Sequence, residues 1–239
     1  MSKHYDENNR ESILNYAKQL EGKTLREVLS TKQIDLMSKE KKGNKGKFGQ
    51  MLEKYFFEYA INSDTEPDFP CGIELKVTPL KVNKNRTLSP KERLVCNIIN
   101  YENIINEKWE TSSFLHKNKD ILIMRYIDPK DATIDNLDYK FLDIQIHSLF
   151  DDEEDKKQFE TDWNIIVNKI RVGDAHLLSE SDTMFLGACT KGSTAAKSLR
   201  KQPNNTELAK QRAFSFKTQY MRELLNRSNT IYQIWRDTK

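Results

Sequence analysis

The sequence holds 239 residues, enough for one domain or for two small lobes, and its 37% hydrophobic and 10% aromatic content is lean but sufficient for a core. A net charge of +3 does not by itself mark a nucleic-acid-binding protein, no apolar run approaches the ~18 residues of a spanning helix, and no cleavable signal opens the chain, so it reads as soluble, cytoplasmic and without a membrane partner. Three scattered cysteines and four histidines without ligand spacing argue against a disulfide framework or a zinc site.

In chain order, residues 7–30 read as helical, with Ile13, Leu14, Ala17 and Leu20 at helical spacing and Gly22 as a stop. A lysine-rich linker, "SKEKKGNKGK", follows. "FGQMLEKYFFEYA" then places Phe48, Met51, Leu52, Tyr55, Phe56 and Tyr59 on one helical stripe, with Glu53 about 100° round from Leu52 at its edge. Strands are predicted at 72–78, 93–99, 120–127 and 140–147. "KKQFETDWNIIVNKIRVG" is a second long helix burying Phe159, Trp163, Ile166 and Ile170 and ending at Gly173. A strand near 183–188, a polar loop, a strand near 212–216 and a helix at 218–228 complete the chain. This order argues an α/β or α+β domain around one mixed sheet. Trp109 and Trp163 are read as core rather than as base-stacking residues.

The chemistry concentrates in "PDFPCGIELKVTPL", residues 67–80. Ile73, Leu75 and Val77 form one face of a strand, and Glu74 and Lys76 share the other. Asp68, just upstream, can fold back beside Glu74. Two carboxylates so close repel, and a hard divalent cation such as Mg²⁺ offsets that repulsion, a backbone carbonyl and waters completing an oxygen shell. Lys76 can then orient an attacking water or stabilise charge developing on a phosphate. This is the logic of metal-dependent phosphodiester hydrolysis, and D-x5-E-x-K with Pro67 ahead of it is close to the P-D…(D/E)-x-K signature of restriction-type nucleases. The competing reading makes Glu74 and Lys76 the solvated face of an edge strand. Glu53, on the helix just before the motif, could reach the same metal, or be a surface glutamate.

Charge is also segregated. Residues 151–162 hold seven acids and two lysines, whereas 191–222 hold eight Lys/Arg and one acid, Glu207. Such a division suggests a face that meets a polyanion. Lys191, Lys197, Arg200, Lys201, Lys210, Arg212 and Lys217 suit phosphate and base contacts.

Four ordered blocks, "KGKFGQMLE", "PDFPCGIELKVTPL", "KWETSSFLHKNK" and "DDEEDKKQFETDWNIIVNKIRVG", resemble the MutH family of strand-nicking endonucleases. "SPKERLVCNIINYE" and "RKQPNNTELAKQRAFSFKTQYM" are closer to the related type II restriction endonucleases that cut at GATC. The resemblance runs from about residue 10 to 228. It implies a restriction-endonuclease-like α/β fold of the PD-(D/E)xK type, a mixed central sheet flanked by helices, with two lobes forming a DNA cleft: roughly 1–110 catalytic and 111–239 mainly for recognition. It further implies that Asp68, Glu74 and Glu53 bind Mg²⁺, that Lys76 is catalytic, and that Lys117 in "WETSSFLHK" lies near the active site. Lys191 in "ACTKGST" matches a base-reading lysine, although Cys189 and Thr190 depart from the family's preceding residues. Ser215 falls where the family has a groove tyrosine, so that contact is in doubt. The two acids stand one residue closer than in the family, a deletion that only the loop "FPCG" could absorb without turning Glu74 to the other face.

The expected activity is Mg²⁺-dependent cutting of duplex DNA at GATC, before the G, by a type II restriction enzyme; a mismatch-repair nicking nuclease and a catalytically silent DNA-binding module are the alternatives. Intact Asp68, Glu74 and Lys76 speak against the last. The relatives of the restriction branch are about twice as long, which leaves open an N-terminal domain of a longer enzyme, a homodimer on DNA, or a second, pseudo-catalytic domain.

Overall fold

The computed structural model describes residues 4–39, 46–59, 65–131, 133–192, 198–228 and 231–237. Lys197 and most of the lysine-rich linker lie outside these ranges. The described strands are Ile73–Val82 (β1), Leu88–Pro90 (β2), Leu94–Ile98 (β3), Asp120–Ile127 (β4), Phe141–Ser148 (β5), Leu186–Thr190 (β6), Leu199–Gln202 (β7), Asn205–Lys210 (β8) and Arg212–Phe216 (β9). The α-helices are Arg10–Ala17 (α1), Leu25–Val28 (α2), Thr31–Lys39 (α3), Gly46–Met51 (α4), Tyr101–Ile104 (α5), Ser113–Asn118 (α6), Glu153–Arg171 (α7), Thr218–Arg227 (α8) and Ile231–Asp237 (α9). Among the described residues no helix is long and apolar enough to cross a membrane.

The chain is mixed α/β, but its strands form three sheets, ordered β2-β1-β4-β5, β3-β9-β6 and β7-β8, instead of one. Two compact units result. The first takes 1–92, 121–147 and 224–239, and the second takes 93–120 and 148–223. A single break near residue 110 does not describe them, because β4 and β5 return to hydrogen-bond alongside β1.

In the first unit, the helix expected over 7–30 is broken. Asn9 caps α1, accepting from Ser12 N–H at 2.9 Å. Gly22 then takes φ +73°, a left-handed conformation that ends the helix, and the chain restarts at α2 under a capping box of Thr24 and Glu27. After α4 the helix widens into a π-helical turn over Leu52–Phe56, closed by Phe57 N–H to Leu52 O at 2.9 Å. Tyr59 therefore lies beyond the helix, not on its stripe, while Phe48, Leu52, Tyr55 and Phe56 are buried as expected. Six aromatic rings, Tyr5, Tyr16, Phe56, Phe57, Tyr59 and Phe69, pack with centroids 4.7–6.3 Å apart. They belong to the core that also holds Ile73 and Leu75 of β1. Further along the sheet, a fully buried Arg125 pairs with Asp143, whose other oxygen accepts from Ser228 Oγ at 2.6 Å.

β1 runs four residues beyond the strand expected at 72–78, through Pro79 to Val82. Only its last three residues pair with β2 (Leu80↔Pro90 to Val82↔Leu88). Glu74 is 2% exposed even though β2 covers β1 only from Leu80 onward. That burial removes the solvated-face reading of the motif.

In the second unit, α7 starts three residues earlier than expected, and Phe159, Trp163, Ile166 and Ile170 are all buried. Trp109 and Trp163 are core residues, with ring centroids 6.0 Å apart. The polar loop expected before 212 is a β-hairpin, β7-β8, in which Gln202 pairs with Asn205 across Pro203 and Asn204. Asn204, at φ +59°, supplies the left-handed residue of that turn. Asp162 on α7 ties the helix to β6. Its carboxylate, 1% exposed as a residue, accepts from the backbone N–H groups of Met184 (3.0 Å), Phe185 (2.5 Å) and Leu186 (2.8 Å). Asp162→Ala strands two buried donors, those of Phe185 and Leu186, each costing about 1–3 kcal/mol when unmet, and one partly buried donor, that of Met184. The substitution should lower unfolding stability by about 3 kcal/mol or more in urea titration; a change below about 1 kcal/mol would contradict this account of the α7–β6 junction.

Candidate active site

The motif is assembled by a tight turn that folds Asp68 back along β1. Phe69 N–H donates to Ile73 O and Gly72 N–H to Phe69 O, both at 2.9 Å, with Gly72 at φ +87°. The strand then begins at Ile73. The turn is thus complete before Glu74, where a shortened spacing does not disturb the face on which Glu74 and Lys76 lie. Because β2 covers β1 only from Leu80 onward, the N–H of Leu75 is taken instead by Asp68 Oδ2, at 2.8 Å. One hydrogen bond therefore fixes the upstream acid against the strand that carries the downstream one.

Lys76 Nζ lies 2.5 Å from Glu74 Oε1. The two share a face, as the two-residue repeat of a strand requires. Glu74 is buried and Lys76 is one-fifth exposed, so the lysine's charge is held at the boundary of the site by the acid. Asp68 is pushed up to about 7 from the ordinary carboxylate value, first by burial, then by the charge on Glu74 and, to a lesser degree, on Glu53; its bond from Leu75 and the Lys76 charge act in the opposite sense. Glu53 sits on the π-helical turn, near enough for its charge to bear on Asp68. Among the described residues, no group of three or more His, Cys, Asp or Glu side chains is drawn together closely enough to hold a metal. What the site offers is a pair of carboxylates with a third nearby: oxygen donors only, carrying more negative charge than one lysine neutralises. That donor set fits a hard divalent cation and not a thiophilic one.

The raised Asp68 value has a sign that can be checked. The folded protein holds this proton from about 7 downward, while the unfolded chain releases it near the ordinary value. The Asp68 contribution to the stability of the cation-free protein is therefore fully present below pH ~4 and is lost as pH rises through about 7. The melting temperature of the cation-free protein should fall across that window, and Asp68→Asn should flatten the fall. Equal slopes for the two proteins would contradict the assignment.

The remaining expected residues are less uniform. Lys117 is buried at the last turn of α6, in the second unit. Arg200, Lys201 and Lys210 are exposed on the β7-β8 hairpin. Lys191 follows the end of β6, its backbone N–H bonded to Gln211 O at 2.8 Å, and precedes Gly192 at φ +109°. Three others are taken up inside the second unit. Arg212 donates to Ala188 O at 2.9 Å and Leu178 O at 2.5 Å. Lys217 donates to Glu180 O at 2.7 Å and Thr183 O at 2.5 Å. Ser215 is fully buried within β9, opposite Gly187 of β6. Backbone carbonyls hold both cations, and the β6-β9 pairing encloses the serine. Tyr59, treated in the sequence only as part of an apolar stripe, stands beside the acids: Asp68, Glu53 and Glu74 are the charged groups that bear on its hydroxyl.

Two comparisons bear on this arrangement. The family model described as DNA mismatch repair enzyme MutH matches residues 57–162. The type II restriction enzyme Sau3AI of Staphylococcus aureus is 40% identical over 219 residues, which is 91% of this chain and 42% of that enzyme. The chain thus spans less than half the length of the curated relative it matches. The matched residues include Asp68, Glu74 and Lys76 in the first unit and most of α7 in the second. The chain is thus similar over residues 57–162 to the MutH family model, and over 219 residues to a type II restriction enzyme.

Proposed function

We propose that the chain is a site-specific endonuclease of the type II restriction kind, which hydrolyses duplex DNA at GATC with Mg²⁺ and cuts before the G. The observation that carries this reading is the junction of Asp68, Glu74 and Lys76: two carboxylates fixed together at the start of a buried strand, with one ammonium bonded to the second. When bound there, Mg²⁺ supplies positive charge that neutralises the acids, polarises the scissile phosphate and acidifies a water.

The protein's own residues do the rest. Asp68, in its charged form, and Glu74 hold the cation, with Glu53 adding negative charge from the π-helical turn. Glu74 holds the Lys76 ammonium beside the reacting centre, where it orients the attacking water and stabilises charge on the phosphate oxygens. Water oxygen attacks phosphorus in line. The bond to the 3′ oxygen breaks, the attacking water releases one proton to solvent, the 3′ oxygen takes one from solvent, and the phosphate remains on the 5′ end. Lys117, in the second unit, is the further lysine that the family resemblance implies. In the second unit, exposed Arg200, Lys201 and Lys210 suit phosphate contacts, which set register without reading sequence. Lys191 is the residue proposed to reach a guanine edge, where such a contact discriminates by about 1–3 kcal/mol. A homodimer on DNA, or a second domain in a longer chain, would present the second strand for cutting.

A strand-nicking reading is favoured by the description of the matching family model, a mismatch repair enzyme. Incubation with plasmid and Mg²⁺, followed by mapping of the ends, separates the two. Double-strand breaks at GATC without an accessory protein support restriction, and nicks alone support the repair reading. Lys76→Ala should then lower the single-turnover rate by at least ~100-fold, the scale of one lost electrostatic stabiliser, with little change in DNA affinity measured in Ca²⁺. A rate that held while affinity collapsed would make Lys76 a phosphate clamp and remove it from the chemical step.

A further inference from the structure

Three tyrosines stand in the aromatic cluster of the first unit, and two of their hydroxyls meet main-chain carbonyls. Tyr5 donates to Phe57 O at 2.7 Å and Tyr16 to Phe56 O at 2.9 Å. Tyr59 differs. Its hydroxyl is buried and meets no hydrogen-bond partner among the described residues, although the residue is only 9% exposed. Buried donors left in that condition are rare and call for an explanation.

The placement of Tyr59 supplies one. Its backbone N–H donates to Glu53 O at 3.1 Å. Its ring meets the ring of Phe69 edge-on at 5.2 Å, and Phe69 directly follows Asp68. The residue is therefore tied by main chain to one acid of the site and by packing to the neighbour of another. Burial first, then the charges on Asp68, Glu53 and Glu74 in that order, raise the hydroxyl far above its ordinary range, so it keeps its proton and has an O–H to donate near these acids.

We propose that Tyr59 is a positioning residue of the carboxylate site: its O–H donates to a water that enters with the divalent cation and is shared with Asp68 or Glu74. The inference rests on the metal-dependent reading above and extends it to a residue outside the P-D…(D/E)-x-K pattern. A water, and not a DNA phosphate, suits the position, because the hydroxyl is covered and a phosphate group is too large to reach it.

The test is calorimetric titration of Mn²⁺ into the full chain without DNA, for wild type and Tyr59→Phe, with melting temperatures measured with and without the ion. Phenylalanine keeps the ring against Phe69 and removes only the donor. Tyr59→Phe should bind Mn²⁺ about 2- to 10-fold more weakly, the effect of one hydrogen bond. Its melting temperature without the ion should be unchanged or higher, and its rise on adding the ion smaller than in wild type. Tyr5→Phe, which alters a hydroxyl bonded within the fold, should bind Mn²⁺ as wild type does. Equal affinity in wild type and Tyr59→Phe overturns the proposal. So does a Tyr59→Phe protein that is destabilised or unfolded without the ion, since the hydroxyl would then serve the fold. A wild type that binds no Mn²⁺ overturns the metal-dependent reading itself, an outcome distinct from both.

Discussion

Asp68 and Glu74 repel one another, and the local architecture of the first unit is organised to hold them together regardless. The turn from Phe69 to Ile73 returns the chain on itself, the N–H of Leu75 captures Asp68, and Lys76 bonds Glu74. The upward displacement of Asp68 comes first from burial and then from the charge on Glu74. A fold that had only to be stable would gain from replacing one acid with an apolar residue, because uncompensated buried charge is costly. Retained strain of this kind at one point is characteristic of a functional centre, where a ligand of opposite charge provides the compensation.

The second unit shows how differently positive charges can be used. Arg212 and Lys217 face backbone carbonyls, fixing the loops around β6 and β9, whereas Arg200, Lys201 and Lys210 ride exposed on a two-stranded hairpin. A cation bonded to two carbonyls gives up that geometry if it turns toward a phosphate. On the hairpin, Arg200 is likewise held, by Leu199 O and Gln211 Oε1 at 2.8 Å each, while Lys201 and Lys210 are exposed, and a two-stranded ribbon is one of the shapes that a major groove admits. Density of Lys and Arg along a segment is therefore a poor measure of its DNA-binding surface until the carbonyl partners are known.

The carbon framework of the site was legible in the sequence because strand periodicity is rigid: once Ile73, Leu75 and Val77 face the core, Glu74 and Lys76 must share the other side. β4 and β9 were equally legible, with the expected bounds of 120–127 and 212–216. What escaped notice was whatever depends on single backbone torsions or distant partners. Asn204, left-handed, folds an expected loop into a hairpin, and beyond the expected stop at Gly22 the chain restarts as the separate short helix α2. The strand expected to end at 78 continues, since Pro79 needs only its carbonyl, which accepts from Lys91 N–H at 3.1 Å. The π-helical turn at Leu52–Phe56 shifts the phase of everything after it, and that shift moves Tyr59 off the helix and toward the acids. The burial of Ser215 and the carbonyl partners of Arg212 come from pairing across more than twenty residues, which composition does not encode.

The central claim is that Asp68 and Glu74 form the seat of a divalent cation. Crystals grown with Mn²⁺ and measured at a wavelength where manganese scatters anomalously locate that ion directly. The account expects an anomalous peak in ligating contact with both carboxylates, with Lys76 beside it. A well-ordered manganese bound elsewhere in the chain, with no peak at Asp68 and Glu74 under saturating ion, would contradict it.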